Sequence, residues 1–249
     1  MFEKNLSLLL IALLFATVLS AREPGKLALS IELGAANVNG SLNEAWSIRQ
    51  DIGYYSDGYS NYATSDMNLS QLAAILSYSL YDNLVQVGTG LQFTNIDSNI
   101  TGSNTIPFFY LRYLSEQSVT EYAKIKSLNE STNYLVIPFD LKLVPLSLWK
   151  AEFFVRSGID VGVQVSSKTK IDFVNASMKP YNDQILNSVG VKINPFYSSW
   201  NSSIGVTVGS RVKYNIEVLL PSFLLTNSNS SIFVSSMFTG FRFSAQLPL

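Results

Sequence analysis

Between Val155 and Val165 the chain alternates. Val155, Ile159, Val161, Val163 and Val165 fall in one phase, and Arg156, Gly158, Asp160, Gly162 and Gln164 fall in the other. A pleated strand turns successive side chains to opposite faces, so this segment has one greasy face and one polar face. A chain that repeats such segments folds as sheet, and each greasy face needs a core or a lipid phase to lie against.

The pattern recurs along the chain and predicts an all-β fold of about eight strands. The first expected strand is Lys26–Asn37, with Leu27, Leu29, Ile31 and Leu33 opposite Ala28, Ser30, Glu32 and Gly34. The second lies near Asn68–Tyr81 and the third at Asn83–Asn95. The fourth, Tyr134–Val144, contains Pro138, which cannot donate a ladder hydrogen bond and so implies a bulge or local break. Ala151–Ser166 is the fifth. Ser203–Tyr214, Asn215–Leu225 and Ser231–Phe243 follow, the last with Phe233, Met237, Phe241 and Phe243 in one phase. A short helix is expected over Asp183–Lys192.

The connections alternate in length, except that the last, about Thr226–Ser230, is brief. Links near Tyr81–Asn83, Val144–Lys150 and Lys213–Asn215 are short, whereas Val38–Met67, Ile96–Asn133 and Ser167–Ser202 are long. Short periplasmic turns and long extracellular loops characterise an antiparallel up-and-down β-barrel threaded through a bacterial outer membrane. A bilayer core offers no water to unpaired backbone groups, so strands cross it only as a closed ring.

Composition agrees with export to an envelope. Only 14% of the 249 residues are charged, and the net charge of −1 offers nothing for nucleic acid. Met1–Ser20 reads as a signal peptide. Lys4 lies in its polar start, Leu6–Leu19 forms the apolar core, and Val18 and Ser20 precede Ala21. The alternative, a membrane anchor, needs a run of about 20 apolar residues, longer than this one. Residues 21–249 then form a single barrel domain. The chain has no cysteine and no histidine, which removes disulfides, thiolate metal sites and every histidine-based catalytic arrangement. No cofactor or metal is expected.

The polar phase defines the candidate interior. Glu32, Asp140, Lys142, Arg156, Asp160, Arg211, Glu217 and Arg242 all oppose greasy residues. A barrel of about eight strands is just wide enough to be filled by side chains, so these charges are expected to pair across the lumen. Gln71, Gln86, Gln92 and Gln164 would fill gaps, with glycines such as Gly158 and Gly205 making room. The opposite orientation, a soluble lipocalin-like calyx with the greasy face inward around a lipophilic ligand, satisfies the same alternation. Aromatic residues near strand ends, among them Tyr81, Tyr134, Trp149 and Trp200, suit interfacial girdles.

Several segments resemble a known family. Tyr134-Leu135-Val136-Ile137-Pro138-Phe139-Asp140-Leu141-Lys142 is similar to the Tyr-Leu-x-Ile-Pro strand of small outer-membrane β-barrel proteins common in Bacteroidota, the PorT-like group. Phe154–Lys168, the glycine-spaced Trp200–Tyr214 and the closing Phe241-Arg242-Phe243 resemble later strands of that family. The chain departs from it in continuing past the terminal Phe as Ser244–Leu249. The resemblance implies fold and location, and no catalytic residues. It also implies three kinds of partner: outer-membrane lipid, the barrel-assembly machinery and other envelope proteins, the last in a secretion-accessory role.

The expectation is therefore a non-enzymatic barrel with a filled lumen, acting through its loops or walls. Trp46, Tyr54, Tyr55, Tyr59 and Tyr62, set among Ser, Gly, Asp and Asn, form a candidate extracellular contact loop. A small channel is the alternative. Asp57, Asp66 and Asp97 could supply a carboxylate pair, but nothing in their spacing recommends catalysis.

Overall fold

The computed structural model describes residues 26–43, 45–46, 48–49, 63–81, 84–103, 106–114, 119–149, 151–189, 192–227 and 229–249. The expected signal segment and Tyr54, Tyr55, Asp57, Tyr59 and Tyr62 lie outside them. The strands are β1 (Leu27–Leu42), β2 (Ile48–Arg49), β3 (Ala63–Leu80), β4 (Val85–Gly102), β5 (Phe109–Leu114), β6 (Thr120–Leu148), β7 (Ala151–Phe173), β8 (Phe196–Val208), β9 (Lys213–Leu224) and β10 (Phe233–Pro248). A 3-10 turn, Ala176–Tyr181, and one short helix, α1 (Asn182–Val189), lie between β7 and β8, where the sequence predicts a helix.

All the strands belong to one antiparallel sheet that closes on itself. From β6 the order runs through β4, β3, β1, β10, β9, β8 and β7, and β7 pairs back onto β6. The small β5–β2 unit is added at the start of β6. Both described termini and the short turns after β3, β6 and β8 share one end of the ring; the longer connections share the other. The residues after Phe243 are no appendix, because Ala28↔Pro248 through Leu33↔Phe243 makes them part of the closing β1–β10 ladder.

Three local expectations are corrected and one, at Pro138, is met. The sixth expected strand, Ser203–Tyr214, is broken by a turn at residues 209–212. Gly209 takes φ +114° there, a conformation that favours glycine, and Arg211 sits exposed in the turn rather than inside the ring. Pro138 makes the local break that the sequence allows for, without a bulge. Its ladder to β7 runs through Pro138↔Asp160, and toward β4 pairing lapses only between Thr89↔Phe139 and Gln92↔Val136, with the register kept. In β10 a bulge at Ser236, where the ladder to β1 steps from Asn39↔Met237 to Gly40↔Ser235, switches the phase, so Phe233 is buried while Phe241 and Phe243 are exposed. Finally, much of the three expected long loops is strand: β1 runs on to Leu42, β4 to Gly102 and β7 to Phe173.

These extensions invert the pattern of burial. Toward the short-turn end the apolar phase faces out, with Leu33 at 56%, Ile159 at 48% and Val218 at 44% exposure. Toward the long-connection end it faces in. Met67, Leu69, Ile96, Ile100, Leu128 and Ile171 are buried there, with Phe109, Leu111 and Ile125 of the β5–β6 hairpin and Ile185 of α1. Trp46 belongs to this core at 2% exposure, and its indole N–H donates to the Ser231 carbonyl at 2.9 Å. It is therefore not part of an exposed contact loop. Trp46→Ala should destabilise the fold by about 3–5 kcal/mol, as removal of a buried aromatic does. Denaturant unfolding of the purified chain measures this, and a loss under about 1 kcal/mol would show the residue to be peripheral.

Candidate functional site

The short-turn half of the ring is filled by an ionic network centred on Arg156. Its position in β7 points inward because Val155 and Ser157 face out, and its guanidinium meets carboxylates from three other strands. Nη1 donates to Glu32 Oε1 at 3.1 Å and Glu217 Oε1 at 3.0 Å; Nη2 donates to Glu32 Oε2 at 2.9 Å and Asp140 Oδ2 at 2.6 Å. The planar fork of arginine suits such a bidentate contact. Arg242 stands behind it, its Nε 3.9 Å from Glu32 and its Nη1 3.7 Å from Glu217. Ser203 Oγ donates to Glu217 at 2.7 Å.

Seven of the eight residues assigned to the interior by sequence are buried there: Glu32, Asp140, Lys142, Arg156, Asp160, Glu217 and Arg242. Arg211 is the exception. The expectation of charge pairing holds around Arg156 but not throughout. Lys142 donates to Thr207 Oγ1 at 3.1 Å and Asn215 Oδ1 at 3.0 Å, and lies 3.8 Å over the Phe154 ring. Asp160 accepts from Ser199 Oγ at 3.1 Å and Asn201 Nδ2 at 3.2 Å. Neutral hydroxyls and amides that carry no signal in the sequence thus share the work of holding the charges. Gly158 and Gly205 are needed for space, since a Cβ on the first would overlap the Asp140 carboxylate and one on the second would press on Phe154. Gln71, Gln86 and Gln92 are buried, and Gln164 is half-buried.

The other half is closed by apolar packing and by an inward-folded connection. Asn229, Ser230, Ser231 and Ile232, which join β9 to β10, are buried inside the ring mouth. Glu130 of β6 holds them. Its carboxylate accepts from Ser230 Oγ at 2.6 Å, from the Ser231 backbone N–H at 2.7 Å, from the Ser231 hydroxyl, and from Thr169 Oγ1 at 3.3 Å. Tyr134, expected in an outer girdle, lies fully buried against Tyr197 with ring centroids 5.2 Å apart. Both halves are filled, and the interior cavity beside Arg156 has a volume of only about 30 Å³, roughly room for one water.

Outside, the wall of β3, β4, β6 and β7 carries rows of polar residues in direct cross-strand register. Ser70, Asn95, Asn133 and Ser166 form the first row; Asn68, Asp97, Ser131 and Lys168 the second. Asp66, Asn99, Asn129 and Lys170 form the third, and Thr64, Thr101, Ser127 and Asp172 the fourth. Asn95 donates to Ser131 Oγ at 2.9 Å and Asn133 Oδ1 at 3.0 Å, and Asn133 donates to Ser166 Oγ at 3.0 Å. The Lys170 ammonium hydrogen-bonds Asp172 at 3.3 Å and holds its carboxyl below the usual range. The row directly beneath, Leu72, Phe93, Leu135 and Val163, is apolar throughout. Asp66 and Asp97 are thus separate members of a polar wall; Asp66 accepts from Asn99 at 3.2 Å.

Among the described residues no cluster of acidic side chains is placed to hold a metal ion, and no helix is long and apolar enough to cross a membrane. Compared with known proteins, the chain matches no family model and no curated protein. Arg156→Leu should cost about 3–5 kcal/mol, because it leaves buried carboxylates without their cation. Lys213→Ala breaks a partly exposed pair with Glu152 and should cost under about 1 kcal/mol. Unfolding midpoints of the two variants test the contrast, and equal losses would contradict it.

Proposed function

We propose that this chain is a non-enzymatic outer-membrane β-barrel whose lumen is closed and whose work is done by its walls and outer end. The observation that carries the reading is the exchange of both faces across one row of β3, β4, β6 and β7. Below it, apolar side chains point out and charges point in; above it, polar side chains point out and the apolar core points in. A boundary between hydrocarbon and a polar phase produces that exchange, since each face must match what it touches. A soluble protein has no reason to expose one such band and cover the next.

The height of the band fits. From Phe153 to Val163 is ten residue steps, about 33 Å along the strand and about 25 Å of rise at a tilt of about 40°. Trp149, fully exposed at the β6–β7 turn, and Tyr81, exposed at the β3–β4 turn, stand at the short-turn edge of the band, where amphipathic rings meet lipid headgroups. A lipocalin-like calyx would turn the stripe of Leu33, Ile159 and Val218 inward, opposite to its exposure here. The PorT-like resemblance of the β6 segment Tyr134–Lys142 points to the same location, and a secretion-accessory role among envelope proteins is compatible with a wall that carries its chemistry outside.

Cell fractionation with gel heat-modifiability tests the reading. The chain should band with the outer membrane and migrate faster unheated than boiled. Spin labels at positions 161 and 160 should report high and low accessibility, respectively, to lipid-dissolved oxygen. The reversed order would sink the proposal. Planar bilayers containing the purified chain should show no steady conductance, and reproducible large steps would favour the small-channel alternative.

A further inference from the structure

We propose that a glycolipid of the outer leaflet seats on the β10–β1–β3–β4 wall, its acyl part in a cleft over Ala35 and its sugar on the polar rows. The inference rests on the membrane reading above and adds a ligand to it.

Two adjoining clefts of about 550 and 590 Å³ lie on the outer face and share Ala35, Ser70 and Phe241. Ala35 is their floor. It pairs with Ser70 on one side and Phe241 on the other, and its methyl leaves a trough between taller side chains. Leu33, Leu72, Phe93, Phe241 and Phe243 make the walls of the first cleft. Its rim is formed by Ser70 and Asn95, the first two members of the lowest polar row. Apolar volume and hydrogen-bonding surface are therefore continuous. An occupant that fits both has a hydrocarbon part and, directly attached, a broad group with many hydroxyls.

Charge selects among amphiphiles. The rim and the lowest row, Ser70, Asn95, Asn133 and Ser166, are neutral, and the rows above them mix Asp66, Asp97 and Asp172 with Lys168 and Lys170. A phospholipid head recognised by its phosphate calls for arginine or lysine at the rim. Amides and hydroxyls, which both donate and accept, instead match sugar hydroxyls. The cross-strand bonds of Asn95 and Asn133 fix those amides in place in the free protein, so less order is lost when a ligand arrives.

The experiment offers the full chain, in detergent and after vesicle flotation, an equimolar mixture of an uncharged monogalactosyl diacylglycerol, phosphatidylethanolamine and phosphatidylglycerol, and counts retained lipid by native mass spectrometry. The wild type should keep one galactosyl lipid in preference to either phospholipid by about tenfold or more. Ala35→Trp, which fills the trough, and the double change Asn95→Ala/Asn133→Ala should each reduce retention several-fold while remaining heat-modifiable. Equal retention of phospholipid, equal binding of free galactose, a lipid-free dimer, or either folded variant holding as much as the parent overturns the proposal. The wild-type comparison needs no variant to fold. A chain that fails to float with vesicles sinks the membrane reading together with this proposal; one that floats but shows no sugar preference sinks this proposal alone.

Discussion

The contact on which the structure depends most is that of the Arg156 guanidinium with Glu32, Asp140 and Glu217. Those partners come from β1, β6 and β9, so one side chain of β7 ties together strands spread around the whole ring. An arginine withdrawn from water is tolerated only where its charge and its donors are met, and here four hydrogen bonds from two nitrogens meet them. The network sets the ring's diameter on this level. A wider ring would separate the carboxylates, and a narrower one would crowd Phe154 and Asp140 against the glycines that now admit them.

The other half reaches the same end with different chemistry. Leu69, Ile96, Ile125, Leu128 and Ile185 pack as the interior of a water-soluble protein does. Glu130 is a carboxylate buried within it, and it is satisfied by serine and threonine hydroxyls and one backbone N–H. It thereby fixes the β9–β10 connection inside the mouth, where Asn43 and Trp46 also converge on Ser231. One sheet thus carries two opposite burial patterns along its length, with only local register shifts such as that at Asn133/Tyr134, because backbone pairing is indifferent to which face is apolar.

What the sequence made legible follows from that indifference. The strands of the short-turn half announce themselves by alternation, and the inward charges by their shared phase; closure into a ring agrees with the expected antiparallel up-and-down order. The extensions are hidden because the alternation changes sign along each strand. In β4 the apolar set passes from Leu91 and Phe93 to Ile96 and Ile100, from odd positions to even, with no bulge between them. In β3 it passes from Leu72 to Leu69 and Met67. The asparagines and serines between these sets look like loop residues but are the outward face of strands, hydrogen-bonded across the sheet. Arg211 was misplaced for a simpler reason. A strand drawn through Gly209 keeps it in phase, and only the positive φ at that glycine ends the strand. Nothing in the alternation distinguishes Asp160, held by Ser199 and Asn201, from Asp140, held by Arg156. Partners brought together by strand register carry no local signature.

A ring filled in this way constrains function physically. An aqueous path along its axis would require the Arg156 contacts to separate and the packed half to part as well, since neither half alone leaves passage. Each is a set of mutually supporting contacts whose partial loss strands buried polar or apolar groups. The interior therefore specifies the shape of the ring and leaves chemistry to surfaces that strain nothing when occupied. One of these is the outer wall, where the face changes character between Phe93 and Asn95. An amphipathic partner can match both sides of that line at once, whereas a wholly polar or wholly apolar one would leave half of it unmatched.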